Sequence, residues 1–137
     1  MGVETGKIKV LLVDDSKVAL IMYKDGLSDH LYDKKFAHNG NEALLFYKSW
    51  QPDLIVLDIQ MPEMTGYTVL KQIREMEKTT GRRTAIVMAT AMGDKSDIVD
   101  CAKVGIQGYI VKPFKQEEVA TRLENYYIAF QKGSVKT

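Results

Sequence analysis

The chain has 137 residues, of which 45% are hydrophobic and 27% are charged, as in an ordinary globular domain. Its 19 Lys and Arg residues nearly balance 18 Asp and Glu residues. With a net charge of +1, the protein has no overall positive electrostatic potential that would attract nucleic acid or an anionic membrane. A single cysteine, Cys101, excludes an intramolecular disulfide framework and fits a reducing compartment. The sequence shows neither a signal peptide nor a membrane-spanning run, so we expect a cytoplasmic protein.

Apolar runs and turn signals divide the chain into alternating strands and helices. The first run, Ile8–Val13, stops at two carboxylates and at Ser16, which is suited to cap a helix. Helical spacing predicts that this helix turns one apolar face inward, made of Val18, Ile21 and Met22. A weaker strand and a second helix follow, at Lys34–His38 and 41–49.

The later strands are more apolar, and each is followed by a polar side chain. Leu54–Leu57 is too short for a helix and is typical of a strand buried on both faces of a parallel sheet. Two further strands are predicted, the run AIVMA within Thr84–Thr90, which stops at Thr90, and Tyr109–Val111. The remaining helices are predicted at 66–78, 93–104 and 116–131.

Strands that alternate with helices along the whole length predict an α/β fold with a doubly wound parallel sheet. Right-handed crossovers and short connections leave few topologies for five such units. We predict a five-stranded sheet flanked by five helices, in one domain over 7–132 between tails at 1–6 and 133–137.

Polar residues follow four of the strands, at points that a parallel sheet brings to one edge. They are Asp14 and Asp15, Asp58, Thr90 and Lys112. Clustered carboxylates repel, since two unit charges 4 Å apart cost about 4 kcal/mol at an effective dielectric constant near 20, so a raised pKa or a bound cation is expected. Oxygen ligands without nearby His or Cys favour Mg²⁺. The three carboxylates, together with the Lys112 ammonium and the Thr90 hydroxyl, predict a phosphoryl-binding site in which one carboxylate is the nucleophile.

Each of these residues has an ordinary explanation when it is taken alone. An aspartate at a strand end more often caps a helix or forms a turn. Lys112 alone would be a solvated surface charge, and Thr90 alone a β-branched strand residue. Their joint placement at successive strand ends favours a functional site.

Four motifs in combination resemble the receiver (CheY-like) domain of two-component response regulators. They are LLVDDS at the first strand, LDIQMPEMTGYTVLKQIR around the third, ATA at the fourth and GYIVKPF at the fifth. The resemblance covers about residues 7–131. It implies the flavodoxin-like strand order 2-1-3-4-5.

The resemblance implies a role for each residue at the predicted edge. Asp58 would accept a phosphoryl group from a histidine kinase or a phosphotransfer histidine. Asp15 and Asp58 would ligate Mg²⁺ together with the backbone carbonyl of Gln60, while Asp14 would act through water. Lys112 would contact the phosphoryl oxygens, and its bond to Pro113 is expected to be cis.

The resemblance also implies a conformational switch and a rate of dephosphorylation set by the chain's own residues. Thr90 would move to the phosphoryl group and Tyr109 would rotate inward, changing the face made by the fourth helix, fifth strand and fifth helix. Without the family, a half-buried strand aromatic explains Tyr109 equally well. The receiver would catalyse its own phosphorylation and dephosphorylation. Gln60 and Met92 stand at the two positions that tune hydrolysis in the family, and their lack of a carboxylate predicts slow to moderate dephosphorylation.

The expected partners are a histidine kinase or phosphotransfer protein and a downstream protein target, without direct nucleic-acid or membrane contact. We expect a monomer or a weak phosphorylation-dependent dimer. A candidate partner surface carries Lys103, Tyr109, Lys115 and Arg122, although a solvated helix face is the more common setting for each charge alone. Gly108 weakens an assignment to the winged-helix transcription factors, which usually have an acidic residue there. The sequence leaves open a stand-alone receiver or a piece of a longer regulator.

Other protein classes fit less well. A flavin-binding electron carrier would place phosphate where Asp14 and Asp15 repel it. An aspartyl phosphohydrolase normally has a second carboxylate two residues after the first, where Gln60 stands. A P-loop nucleotidase needs GxxxxGK[ST], which is missing. A pseudo-receiver that binds partners without phosphorylation is the alternative that stays open.

Overall fold

The computed structural model describes residues 6–91 and 94–136, with side chains described as far as 133. Within them, five strands alternate with five helices. In chain order they are β1 (Ile8–Val13), α1 (Lys17–Gly26), β2 (Tyr32–Ala37), α2 (Gly40–Trp50), β3 (Leu54–Asp58), α3 (Gly66–Thr80), β4 (Ala85–Ala91), α4 (Lys95–Val104), β5 (Gly108–Lys112) and α5 (Gln116–Lys136).

All strand pairs are parallel, and the order in the sheet is β2-β1-β3-β4-β5. This confirms the predicted doubly wound, flavodoxin-like fold. The pairing aligns Asp58 with Ala89 and Ala91 with Lys112, so the ends of β3, β4 and β5 meet at one edge of the sheet. The sequence-distant polar residues are therefore brought together by backbone pairing alone.

The central strand is buried along its whole length, as the apolar run predicted. Alternate side chains point to opposite faces, and each face has its own core. One core packs under α2, α3 and α4, with Leu44, Val69 and Cys101 among its members. The other packs under α1 and α5, with Tyr23 and Leu123. Fully burying each such side chain contributes about 1.5–3 kcal/mol, so the two cores fix the helices against the sheet.

Side-chain caps begin the first three helices. Ser16 Oγ accepts a hydrogen bond from the Ala19 N–H at 3.3 Å, as the sequence predicted. Asn39 and Thr65 play the same part for α2 and α3. These bonds use backbone donors that a helix start leaves free.

The predicted inward face of α1 is wrong. Ala19, Leu20 and Tyr23 are buried, whereas Val18 and Ile21 are 69% and 56% exposed. The helix is apolar nearly all round between 18 and 23, so helical spacing fits two overlapping faces equally well. Packing against α5 selects the face that carries Tyr23.

Three other element predictions differ in detail. β2 runs from Tyr32 to Ala37, whereas the prediction was Lys34–His38, because pairing with β1 carries Tyr32 and the charged Asp33 into the strand. α5 continues to Lys136, past the predicted end at 131. In α4, Cys101 is buried as predicted, but its neighbour Ala102 is exposed.

Two backbone features shape the site edge. The Lys112–Pro113 bond is cis, as expected. A Cβ atom at Gly66 would lie 2.1 Å from the carbonyl oxygen of Asp58, so only glycine lets α3 start this close to the end of β3.

Among the described residues, no helix combines the length and the apolar character needed to cross a membrane.

Candidate functional site

Three aspartates meet where β1 and β3 end. Single carboxylate oxygens of Asp14, Asp15 and Asp58 all lie within 4.8 Å of one another. Asp14 and Asp58 are buried, with 0% and 3% of their surface exposed, while Asp15 faces solvent. The cluster therefore has a buried floor and an accessible mouth.

Lys112 brings the compensating charge from the end of β5. Its Nζ donates a hydrogen bond to Asp14 Oδ2 at 2.6 Å and lies 3.4 Å from Asp58 Oδ2. One ammonium thus faces two buried carboxylates. This arrangement offsets part of their mutual repulsion, as buried charges require.

Backbone donors hold the other oxygen of each buried carboxylate. The Ser16 N–H donates to Asp14 Oδ1 at 2.9 Å, and the Gln60 N–H donates to Asp58 Oδ1 at 3.2 Å. Both donors lie two residues after the aspartate that they hold, a short-range turn bond that aspartate makes readily. The carboxylates of Asp14 and Asp58 are therefore fixed in orientation.

Burial and charge shift the acid–base behaviour of the cluster. Burial, followed by the Asp14 charge, raises the pKa of Asp58 to about 6, against the opposing effect of Lys112. Burial would lower the pKa of Lys112, but its hydrogen bond to Asp14 and the charge of Asp58 outweigh it, and that pKa is raised. At neutral pH the site therefore holds an ionised Asp58 beside a charged lysine.

The donor set fits a small divalent cation. Its three carboxylates are oxygen ligands, the type that Mg²⁺ takes, and their spacing allows one ion to contact more than one of them. Asp15 lies at the mouth of the cluster and Asp58 at its floor, and a ligand role for either stays a prediction. A ligand role for the Gln60 carbonyl and a water-mediated role for Asp14 stay predictions.

The two predicted switch residues line one cleft with α4. Thr90 is 3% exposed, and its hydroxyl donates to the Ala91 carbonyl at 3.3 Å. Tyr109 is 42% exposed. Both border a cleft of about 380 Å³ that Ile98 and Val99 of α4 also line. Met92, predicted to tune hydrolysis, lies outside the described residues.

Part of the predicted partner surface is bonded within the chain. Arg122 donates to the Tyr109 carbonyl at 3.2 Å and to the Tyr126 hydroxyl at 2.9 Å. The Tyr126 hydroxyl donates to the same carbonyl at 3.1 Å. Lys103, Lys115 and Arg122 are all exposed, so the three charges of that surface stay accessible.

Sequence reasoning missed the residues that hold the Gln60 side chain. Gln60 Nε2 donates to Asp97 Oδ2 at 3.1 Å and to Asp94 Oδ2 at 3.4 Å. These acids follow Gln60 by 37 and 34 positions, and no motif joins them. The available signal was their place at the start of α4, directly after a strand that ends at the site.

The sequence is similar to proteins of the family that the motifs resemble. A family model described as the response regulator receiver domain matches residues 10–124. The chemotaxis protein CheY of Bacillus subtilis is 38% identical over 112 residues, which cover 81% of this chain and 90% of that protein. The probable transcriptional regulator ycf27 of Pyropia yezoensis is 34% identical over 89% of this chain, which spans 48% of that relative.

A solved structure of a similar protein has the same fold. The structure of the CheX–CheY–BeF3–Mg²⁺ complex from Borrelia burgdorferi has a chain with a TM-score of 0.78 and 30% identity, covering 88% of this chain and 89% of that one.

Proposed function

The chain belongs to the family of response regulator receiver domains, and from that premise we propose that it accepts a phosphoryl group on Asp58 from the phosphohistidine of a kinase or phosphotransfer protein. We further propose that the reaction depends on Mg²⁺ and that it changes the face made by α4, β5 and α5. The working location that we expect is the cytoplasm.

The observation that carries the proposal is the setting of Asp58. Its carboxylate is buried, held by the Gln60 N–H at 3.2 Å and faced by Lys112 at 3.4 Å, with Asp14 and Asp15 beside it. A fixed carboxylate with a cation close to its free oxygen suits in-line attack on phosphorus, because phosphoryl transfer gains its rate from positioning and charge.

The transfer exchanges one bond of phosphorus for another. An Asp58 oxygen attacks phosphorus, forming an O–P bond as the P–N bond of phosphohistidine breaks. The electron pair of that bond leaves with the imidazole nitrogen. Lys112 is placed to leave Asp14 for the phosphoryl oxygens, where its charge offsets theirs.

Asp15 and Asp58 are the side chains that would hold Mg²⁺, with the Gln60 carbonyl and, through water, Asp14. When bound, the ion would offset negative charge on the carboxylates and the phosphoryl group. The oxygen-only cluster supports this, as does the Mg²⁺ named in the Borrelia burgdorferi complex.

Thr90 and Tyr109 carry the proposed output. Thr90 makes one long bond to the Ala91 carbonyl, which costs little to exchange for a phosphoryl oxygen. Tyr109 stands exposed at the same cleft, so a shift of Thr90 opens room for it beside α4. We propose a downstream protein as the reader of that face, and slow to moderate hydrolysis of the acyl phosphate.

Intact mass after incubation with acetyl phosphate tests the proposal. We expect the protein to gain the mass of one phosphoryl group in the presence of Mg²⁺. The gain should vanish in EDTA and in Asp58→Asn, because each change removes a required part of the site.

Asp100→Asn is the matched control, since it removes an exposed carboxylate from α4 and should load normally. A wild-type protein that gains no mass under any condition would overturn the proposal in favour of a pseudo-receiver.

A further inference from the structure

Gln60 contacts the acceptor through its backbone and α4 through its side chain. Its N–H holds Asp58 Oδ1, while its Nε2 donates to Asp97 at 3.1 Å and to Asp94 at 3.4 Å. One residue thus joins the proposed phosphoryl acceptor to the start of a helix in the proposed output face.

The start of α4 is built to accept these bonds. Asp94 is the N-cap residue, yet its side chain makes no capping bond within the described part of the chain. Its carboxylate is therefore available to another donor. Asp97 follows in the first turn. Amide-to-carboxylate bonds are charge-assisted, so they compete well with water even at a partly exposed position.

The bonds commit the Gln60 amide nitrogen to α4. Gln60, whose N–H holds Asp58, also borders a groove of about 160 Å³ together with Asp97 and Asp100, and this groove has room for water. An amide released from α4 into this groove could orient a water molecule for attack on an acyl phosphate. An amide held on α4 is not available for that task.

We propose that Asp97 is a positioning residue that keeps the Gln60 side chain on α4 and so lengthens the life of the phosphorylated state. This rests on the proposed function, because it presumes an acyl phosphate on Asp58. A partner that pulls the first turn of α4 outward would release Gln60 and shorten the signal. By linkage, freeing Gln60 would also change how α4 binds that partner.

Decay of the loaded protein tests the proposal. Wild type, Asp97→Ala and Asp100→Ala are loaded with acetyl phosphate and Mg²⁺, desalted, and followed by intact mass. We expect Asp97→Ala to decay roughly two- to tenfold faster, the range that loss of one ordinary hydrogen bond allows. Asp100→Ala, which lines the same groove, should decay like wild type.

A double-mutant cycle separates positioning from a general structural effect. In a Gln60→Ala background, Asp97→Ala should leave the decay rate unchanged, since the side chain that it releases is gone. Equal decay of wild type and Asp97→Ala, or the same acceleration in both backgrounds, would overturn the proposal.

The contact itself is tested without phosphorylation. The side-chain amide resonances of Gln60 in an NMR spectrum of the unphosphorylated protein should shift in Asp97→Ala and stay in place in Asp100→Ala. Unmoved resonances in Asp97→Ala would overturn the inference alone. Failure of the wild type to load would overturn the proposed function, even with the NMR shift present.

Discussion

Burial gives Asp58 a cost in stability as well as a fixed orientation. Its pKa rises to about 6 from an ordinary value near 3.8. Between these values the folded state binds more protons than the unfolded state, so the free energy of unfolding falls as pH rises from about 4 to 6. Above pH 6 the contribution of Asp58 to the free energy of unfolding no longer changes with pH and stays at its least favourable value. The ionised Asp58 carboxylate therefore destabilises the metal-free protein at neutral pH.

Asp58→Asn should stabilise the metal-free protein. In EDTA at pH 7, we expect the free energy of unfolding to rise by on the order of 2 kcal/mol, because the buried charge is gone. The difference from wild type should shrink as pH falls from 6 to 4. Urea denaturation at several pH values measures it.

Asp25→Asn serves as a control for that series, since Asp25 is an exposed aspartate in α1. Its stability should differ little from wild type at each pH. An Asp58→Asn protein that is less stable than wild type at pH 7 would contradict the assigned role of burial.

The sequence predicted most of the site because topology brings strand ends together. Asp14, Asp58 and Lys112 needed only the parallel order to be placed at one edge. The sequence could not show that Lys112 bonds Asp14 more closely than Asp58, at 2.6 Å against 3.4 Å. Nor could it join Gln60 to Asp97, because that contact depends on how α4 packs beside the loop after β3.

At the scale of elements, β5 and α5 are fitted together at Gly108. A Cβ atom there would lie 2.4 Å from Cζ of Tyr126, well inside any normal contact. The Tyr126 ring therefore occupies the space that a side chain would take. Its hydroxyl and Arg122 then hold the carbonyl of Tyr109, so the glycine sets the backbone beneath a proposed switch residue.

Gly108→Ala should destabilise the protein by about 1–3 kcal/mol, the usual cost of forcing an extra carbon into a packed contact. Gly133→Ala is the matched control in α5, since among the described residues no atom outside the adjacent backbone of the helix lies within 4 Å of the added Cβ. There the exchange should stabilise by up to about 1 kcal/mol, because alanine favours a helix. Chemical denaturation measures both.

If Gly108→Ala were as stable as wild type, the Tyr126 ring would be able to move aside without a loss in the free energy of unfolding, and this prediction would be wrong.

The elements whose prediction was wrong were those with ambiguous local patterns. In α1 an apolar run offered two faces, and only packing against α5 chose between them. In β2 a strand was predicted but placed two residues late, because pairing with β1 brings Tyr32 and the charged Asp33 into it. β3 had neither ambiguity, and its prediction was confirmed.

At the scale of the whole molecule, the acidic cluster should couple ion binding to folding. An ion that binds the folded state alone stabilises it by RT ln(1 + [L]/Kd), about 2.7 kcal/mol at a hundredfold excess over Kd. The three carboxylates are brought together by the ends of two strands, so an unfolded chain holds no such site.

Mg²⁺ should therefore raise the thermal midpoint of unfolding in a concentration-dependent way. We expect Asp15→Asn to lose most of the increase, because it removes the exposed carboxylate that is proposed to bind the ion. Asp100→Asn should keep it. Differential scanning calorimetry at constant ionic strength is the measurement, and an Asp15→Asn protein that responds like wild type would remove Asp15 from the ligand set.

The global fold was predictable because every part of the chain repeats the same strand–helix alternation. Two apolar cores on opposite faces of one sheet follow from that alternation, and a parallel order follows from the short right-handed connections. The length of α5 was not predictable in the same way, since residues 132–136 hold one large apolar side chain, Val135, and carry no helical pattern.

The parallel order has a further consequence for β2, which forms an outer strand with neighbours on one side. Outer strands present free backbone groups that can template aggregation, and lysines there oppose it. Lys35 supplies such a charge on β2, whereas the Lys34 side chain is 7% exposed and is bonded within the chain, to Asp29 at 3.0 Å and to the Lys24 carbonyl at 2.7 Å. One charged side chain of the predicted strand, Lys35, thus opposes edge-to-edge pairing of β2 with another chain, while Lys34 ties the strand to the end of α1.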